Sequence, residues 1–139
     1  MASRLLARNP EFTEDSLILV IYRLTVYTAD MIKEMREPTF LVLATLAEGK
    51  KHGYAIIQGV ASLSEGEVEL KAGTLYAMLD RLSFDGVIES VGEEIVDGRL
   101  RRYYELTSEG TKLLAEESKR RVKVSNIALR RLRFVGGFA

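Results

Sequence analysis

Three apolar segments with helical spacing follow one another in the middle of this 139-residue chain, and their order constrains the fold more than any other feature. The first begins at Met31 or Pro38 and ends near Glu48. It is apolar on almost every side, which predicts a buried central helix. The second covers residues 53–63 and the third residues 72–84, where leucines recur on one face. A glycine-containing turn follows each segment, so we expect three separate helices.

Beyond the third segment, alternating polar and apolar residues predict a β-hairpin. Its strands are residues 87–91 and residues 100–106, and the connection over residues 92–99 is expected to form a long tip around an Asp-Gly turn. A shorter alternation over residues 67–70 predicts one more strand, and residues 50–53 are expected to form a turn. Helix, helix, strand, helix and hairpin is the element order of a winged helix-turn-helix, in which the third helix enters the DNA major groove.

A final helix is predicted from the capping residue Thr107 to about Arg133. Its apolar stripe starts at Leu113 and Leu114, is interrupted by polar residues, and resumes in the second half of the helix. A helix this long extends beyond the body of the domain, so its own chain leaves the second half uncovered. We therefore expect a homodimer formed by the same helix of a second subunit. The predicted dimer-interface residues are Val124, Ile127, Ala128 and Leu132.

Composition excludes several kinds of active site. The sequence has no cysteine, which excludes thiolate metal sites and cysteine nucleophiles. Its single histidine, His52, excludes a multi-histidine metal centre and is expected to make structural hydrogen bonds. No phosphate-binding glycine loop, nucleophile elbow or paired-carboxylate motif stands out, so we predict no catalytic residue, no metal and no cofactor. An enzyme that works through Asp or Glu alone is an alternative without a positive signal.

The formal net charge is zero, from 20 basic and 20 acidic side chains, but these charges are unevenly distributed. Residues 38–110 carry 7 basic and 12 acidic side chains, whereas residues 111–139 carry 8 basic and 2 acidic ones. We expect the arginines of the last helix to flank its apolar stripe and to pair with the acidic body of the other subunit. A DNA-contacting helix and a simply solvated helix are the alternatives.

The N-terminal part has no clear place in this scheme, and residues 1–30 are interpreted as an extension of uncertain origin. Their apolar run, Leu17 to Val26, is interrupted by Arg23 and is shorter than the ~20 residues that a membrane span needs. The pattern of a signal peptide is not met either. We therefore expect an added packing helix or strand, and no association with a membrane.

Three stretches of the sequence carry a resemblance to a known family. FLVLATLAEGKKHGYAIIQGV (residues 40–60), KAGTLYAMLDRLSFDGVIES (residues 71–90) and GRLRRYYELTSEGTKLL (residues 98–114) together resemble the PadR family of bacterial transcriptional regulators. The family pattern includes a His-Gly-Tyr turn, Gly-Thr-Leu-Tyr on the third helix, and an arginine-led Tyr-x-Leu-Thr-x-x-Gly after the wing.

The resemblance implies a mainly α fold with a small β-hairpin. It places a winged helix-turn-helix DNA-binding domain over residues 31–106, a long C-terminal dimerisation helix over residues 107–135 and a tail over residues 136–139. It further implies a cytoplasmic homodimer that binds a pseudo-palindromic double-stranded operator, represses transcription and is released by a small aromatic or apolar effector. The residues that would bind such an effector are not predicted. A winged helix that only contacts proteins is the other alternative.

The chain departs from the family pattern at four positions. Ala77 and Leu100 replace common prolines, while Asp80 and Glu105 stand where a basic residue is frequent. The two acidic replacements lie near the expected DNA-facing side and would lower its attraction to phosphate.

The resemblance assigns the DNA contacts to the third helix and the wing. On the helix, the hydroxyls of Thr74 and Tyr76 suit base or phosphate contacts, and Ala77 can contact a thymine methyl. Arg81 either contacts DNA or pairs with a neighbouring aspartate, and Tyr54 is expected to pack. The predicted DNA-binding residues are Lys71, Thr74, Tyr76, Ala77, Arg81, Arg99, Arg101 and Arg102.

Overall fold

The computed structural model describes residues 14–22 and 35–134. The chain divides into two units, residues 1–35 and residues 36–139. In the first unit, residues 14–22 form a helix, so the described part of the predicted packing element is helical. The rest of that apolar run, the origin of the N-terminal extension and the C-terminal tail concern residues outside the described ranges. None of the helices in these ranges is long and apolar enough to cross a membrane.

Over the residues that the structure describes, the second unit contains four helices in the predicted order and a three-stranded antiparallel sheet. Its helices within the described part are α1 (Glu37–Leu46), α2 (Gly53–Leu63), α3 (Ala72–Phe84) and α4 (Ser108–Phe134). The strands are β1 (Lys51–His52), β2 (Ile88–Val96) and β3 (Arg99–Leu106), and β3 lies between the other two. The predicted fold class is confirmed: a mainly α winged helix with a β-hairpin and a long C-terminal helix.

The core forms between α1, α2, α3, the start of α4 and the base of the hairpin. As the sequence predicted, α1 is buried on most sides, and the leucines of α3 are buried on one side. Because these leucines fix one side of α3 against the core, they also fix which side of that helix faces outward. The buried apolar side chains are Leu41, Val42, Leu43, Leu46, Ile56, Val60, Leu75, Leu79, Leu82, Val87, Ile88, Tyr104, Leu113 and Leu114.

The strand predicted over residues 67–70 is wrong, since this stretch is an irregular connection between α2 and α3. The backbone N–H of Val68 donates to the hydroxyl of Ser64 (3.0 Å) at the end of α2, so it is not available to a strand ladder. The third strand is instead β1, where a turn was expected, and it pairs with Tyr103 and Tyr104 of β3. A strand of two residues is too short to leave an alternation in the sequence.

The prediction of a long hairpin tip over residues 92–99 is also wrong. β2 and β3 stay paired as far as Val96 and Arg99, and only Asp97 and Gly98 form the turn. Both turn residues have positive φ, 51° and 74°, the conformation that a tight two-residue hairpin turn requires. A register shift just before Gly92 interrupts the alternation, and this irregularity explains why the pattern ended the strand too early.

The start of α4 is fixed to the chain that precedes β2. As predicted, Thr107 caps this helix: its Oγ1 accepts from the Gly110 N–H (3.0 Å) and donates to the Gly86 carbonyl (2.6 Å). A Cβ on Gly110 would lie 1.9 Å from the carbonyl oxygen of Val87. Only glycine therefore lets the first turn of α4 approach the hairpin this closely.

A buried carboxylate, which the sequence did not single out, ties α4 to α1. Glu117 is 0% exposed and accepts hydrogen bonds from Arg120 Nε (2.9 Å), Arg120 Nη2 (2.7 Å) and Arg121 Nε (2.9 Å). Arg121 also pairs with Glu37 of α1, and its guanidinium lies 4.0 Å from the centroid of the Phe40 ring. Two arginines that were expected to pair with the other subunit are thus paired within their own chain.

Candidate nucleic-acid interface

The outward side of α3 brings together the DNA contacts predicted on this helix. Thr74, Ala77 and Arg81 recur at three- and four-residue spacing and are exposed, opposite the buried leucines. Lys71 is exposed at the N-cap of the same helix. The resulting surface has small side chains in its middle, which let the backbone approach base edges, and a cation at each end.

Tyr76 is half exposed and lies across the start of α2. A Cβ on Gly53, the first residue of α2, would be 2.8 Å from the hydroxyl oxygen of Tyr76, so the tyrosine occupies the space that a larger residue would need. Tyr54, the next residue, is 64% exposed, and the expectation that it packs is wrong. The buried side of α2 is formed by Gly53, Ile56 and Val60, and Tyr54 lies away from it.

His52 joins the wing to α2. Its Nδ1 accepts a hydrogen bond from the Ala55 N–H (3.3 Å), which caps α2, and its ring meets that of Tyr103 edge to face with 5.7 Å between centroids. Burial, followed by the positive charge of Arg101, lowers the pKa of His52. The structural role predicted for this histidine is confirmed, and it depends on an unprotonated Nδ1.

Two of the three predicted wing arginines face carboxylates across the hairpin ladder. Arg102 is opposite Glu93, and its Nε and Nη2 each lie 3.1 Å from Glu93 Oε1. Arg101 is opposite Glu94, whose Oε2 accepts a hydrogen bond from the Tyr103 hydroxyl (2.8 Å). That hydrogen bond to Glu94 is the main reason why the pKa of Tyr103 is raised.

The wing as a whole carries more negative than positive charge. Residues 88–106 contain five acidic and three basic side chains. Arg99, beside the turn, is exposed and forms no ion pair with another residue of the described ranges. The predicted phosphate contacts of the wing therefore lie at the surface, but carboxylates stand beside two of them.

The second half of α4 exposes apolar side chains on more than one side of the helix. Of the four predicted dimer-interface residues, Ile127 is half-buried and three are exposed. The exposed ones are Val124, Ala128 and Leu132. Val122 and Leu129, seven residues apart, are also exposed, on the side of α4 away from Val124 and Ile127. The sequence reasoning followed only the face that continues from Leu113 and missed this second row.

The model of the PadR-like family of transcriptional regulators matches residues 42–116, more than half of the chain. The chain belongs to this family. The match runs from α1 into α4 and includes the outward side of α3 and the whole wing. At the level of the family, this PadR-like chain is a DNA-binding transcription regulator.

Individual proteins of the family resemble the chain to different degrees. Transcriptional regulator Rv3488 of Mycobacterium tuberculosis is 37% identical over 76 residues, which are 55% of this chain and 67% of that protein. A PadR family transcription regulator from Clostridium difficile is 26% identical with a TM-score of 0.59, covering 70% of this chain and 99% of that one. Bacillus subtilis PadR, solved in complex with operator DNA, is 23% identical with a TM-score of 0.50, covering 55% of this chain and 44% of that one. This last similarity is one of fold.

The two acidic residues that depart from the family pattern, Asp80 and Glu105, lie on α3 and on β3. Asp80 is exposed on α3. Glu105 lies directly opposite Glu89 in the ladder of β2 and β3, so two carboxylates face each other. Like charges in this position destabilise a strand pair.

Proposed function

We propose that this chain is a homodimeric regulator that binds a pseudo-palindromic operator in double-stranded DNA in the cytoplasm. α3 of each protomer enters a major groove, and the wing contacts the neighbouring phosphate backbone. The observation that carries the proposal is the outward side of α3. There Thr74, Ala77 and Arg81 lie opposite the buried leucines, with Lys71 at the N-cap and Tyr76 beside the start of α2.

The chemistry of this side of α3 suits a groove. The hydroxyl of Thr74 can donate to or accept from a base edge, and the methyl of Ala77 fits against a thymine methyl. Lys71 at the start of the helix and Arg81 in its last turn are placed to contact phosphates on either side of the groove. Base contacts then read the sequence, while the two cations fix the position of the helix.

The apolar rows on the second half of α4 support the homodimer. A soluble helix does not leave large apolar side chains such as Val122 and Leu129 in water when a second copy can cover them. A chain that ends at Lys123 tests this, because it keeps the ion pairs of Glu117 and removes most of both rows. Light scattering should report a monomer for this chain, and an unchanged dimer would contradict the assignment to α4.

We also propose that the dimer represses transcription and that a small aromatic or apolar effector releases it from DNA. The support is the family resemblance together with the exposed apolar side chains of α4 at the proposed dimer interface. A reporter gene behind the chain's own promoter tests the sign of regulation. A ligand screen that reads loss of DNA binding tests the effector, and no release by any aromatic compound would count against it.

Binding to promoter DNA of the chain's own gene tests the main proposal. Fluorescence anisotropy at moderate salt should give tighter binding to one promoter fragment than to bulk competitor DNA. Lys71→Ala should weaken binding and lower the salt dependence by about one unit per protomer. Lys112→Ala removes the same charge from an exposed position of α4 and is the matched control. If no fragment binds more tightly than competitor DNA, the regulator proposal fails.

A winged helix that contacts only proteins is a second candidate, favoured by the excess of acidic side chains on the wing. That candidate predicts no salt-dependent association with any DNA fragment. The same titration therefore separates the two functions.

A further inference from the structure

The ion pair between Glu93 and Arg102 occupies the part of the arginine that a phosphate would use. One carboxylate oxygen, Glu93 Oε1, lies 3.1 Å from both Nε and Nη2 of Arg102. This is the forked edge through which a guanidinium binds carboxylate and phosphate oxygens alike. The side chains are 51% and 48% exposed, so a DNA phosphate can reach the pair and exchange with the carboxylate.

The pair is built into the hairpin. The two-residue turn over Asp97 and Gly98 sets the ladder so that Glu93 stands directly opposite Arg102. The next ladder pair, Glu94 and Arg101, is on the other face of the ladder, and there Glu94 accepts a hydrogen bond from the Tyr103 hydroxyl. Both arginines thus stand opposite a carboxylate in the ladder, and Arg102 is ion-paired with its own.

The net negative charge of the wing also weakens its long-range attraction to DNA phosphate. With five acidic and three basic side chains, residues 88–106 present no net positive field to an approaching phosphate backbone. Sequence-independent binding to DNA comes almost entirely from such electrostatic attraction. A wing with this charge should therefore contribute little to sequence-independent binding.

We propose that Glu93 competes with DNA phosphate for Arg102 and thereby limits sequence-independent binding. The inference rests on the proposed DNA-binding function and adds a residue that sets the strength of backbone contacts. In the complex, a phosphate oxygen replaces Glu93 Oε1 at the guanidinium. The binding free energy that each wing contributes is therefore reduced by the free energy of the ion pair that is broken.

Glu93→Gln tests the competition, with Glu89→Gln as the matched control. Each removes one negative charge from the exposed part of β2, but Glu89 faces Glu105 and not an arginine. On random-sequence duplex DNA, Glu93→Gln should tighten binding about three- to tenfold, since an exposed ion pair changes an equilibrium constant by a small factor and a dimer has two wings. Its salt dependence should become steeper by about one to two units. Glu89→Gln should have a clearly smaller effect.

A second pair of variants isolates the contact itself. In a chain that already carries Arg102→Gln, adding Glu93→Gln should give no more tightening than Glu89→Gln does, because the competitor has no arginine left to release. The same gain with and without Arg102 would overturn the inference.

The other outcomes separate this inference from the proposed function. If the wild-type chain binds its promoter but Glu93→Gln binds DNA no better than Glu89→Gln, the competition is refuted and the regulator proposal stands. Weaker binding by Glu93→Gln also refutes it, since Glu93 would then hold Arg102 in place for DNA. If neither the wild-type chain nor Glu93→Gln binds DNA, the proposed function fails and the inference with it.

Discussion

Replacing Glu117 with glutamine should lower the free energy of unfolding by about 2 kcal/mol. The carboxylate is fully buried and accepts three hydrogen bonds from Arg120 and Arg121. Glutamine keeps the volume and one acceptor oxygen, so it can keep the two bonds that Oε1 accepts but loses the one that Oε2 accepts. A hydrogen bond to a charged group contributes about 1.5–3 kcal/mol. Arg120 and Arg121 are 51% and 25% exposed and recover water, which brings the net cost to about 2 kcal/mol.

Urea denaturation followed by circular dichroism measures this change, at one fixed protein concentration because the stability of a dimer depends on it. Glu116→Gln, an exposed neighbour on the same helix, is the matched control and should change stability by less than about 0.5 kcal/mol. In a thermal scan, Glu117→Gln should lower Tm by roughly 4–8 °C.

The contribution of Glu117 also has a defined pH dependence. Hydrogen bonds from Arg120, and then from Arg121, hold the pKa of Glu117 below its ordinary value in spite of burial. An unfolded glutamate titrates near pH 4.3, so the wild-type advantage should be complete above about pH 5 and be lost as pH falls through the lowered pKa. Equal stability of the Glu117→Gln and Glu116→Gln chains at pH 7, or a difference that persists unchanged at pH 3, would refute the reasoning.

Three further predictions concern contacts at the start of α4, at the start of α2 and between β2 and β3. Gly110→Ala places a Cβ 1.9 Å from the Val87 carbonyl oxygen, so the chain should lose about 2 kcal/mol or more of stability in urea, and a wild-type midpoint would contradict the close approach. His52 must be neutral to cap α2, and its lowered pKa means that this stabilisation is present above about pH 6.5 and lost on acidification. His52→Asn, which caps without titrating, should remove that loss between pH 7 and pH 5, and an unchanged pH profile would contradict it. Glu105→Lys turns the repulsion from Glu89 into attraction and should raise the urea midpoint by the equivalent of about 0.2–1 kcal/mol, whereas a lower midpoint would argue against it.

The helices could be read from the sequence because local signals specify them. The expected ranges for α2 and α3, residues 53–63 and 72–84, are those of the structure. Apolar residues at helical spacing give the buried side, and glycine-containing turns give the ends. The buried leucines of α3 in turn identified the outward side on which the candidate DNA contacts lie.

The charge pairs of the wing were harder to predict, because the register between β2 and β3 decides which charged residues face each other. A two-residue Asp-Gly turn over residues 97–98 aligns Glu94 with Arg101 and Glu93 with Arg102, and the sequence contains that signal. The prediction of a long connection over residues 92–99 left Glu93 and Glu94 outside the strands. It therefore gave no sign that these carboxylates face Arg102 and Arg101.

Some features have no local signal at all. β1 is a strand only because β3, about fifty residues later, pairs with it. Glu117 lies in a polar stretch of α4 and is buried under Arg120 and Arg121, the second of which also meets Glu37, 84 positions earlier. Contacts across such distances in sequence cannot be inferred from spacing within one segment.

Selection of genomic DNA fragments by the purified full chain tests the central claim most directly. The bound fragments should share a pseudo-palindrome whose half-sites are centred about 10 bp, one helical turn, or a multiple of it apart, as two α3 helices of a dimer require. The same selection with Ala77→Glu, which places a carboxylate in the middle of the outward side of α3, should enrich no such sequence. No shared sequence among the fragments bound by the wild-type chain, or the same sequence enriched by Ala77→Glu, would contradict the account.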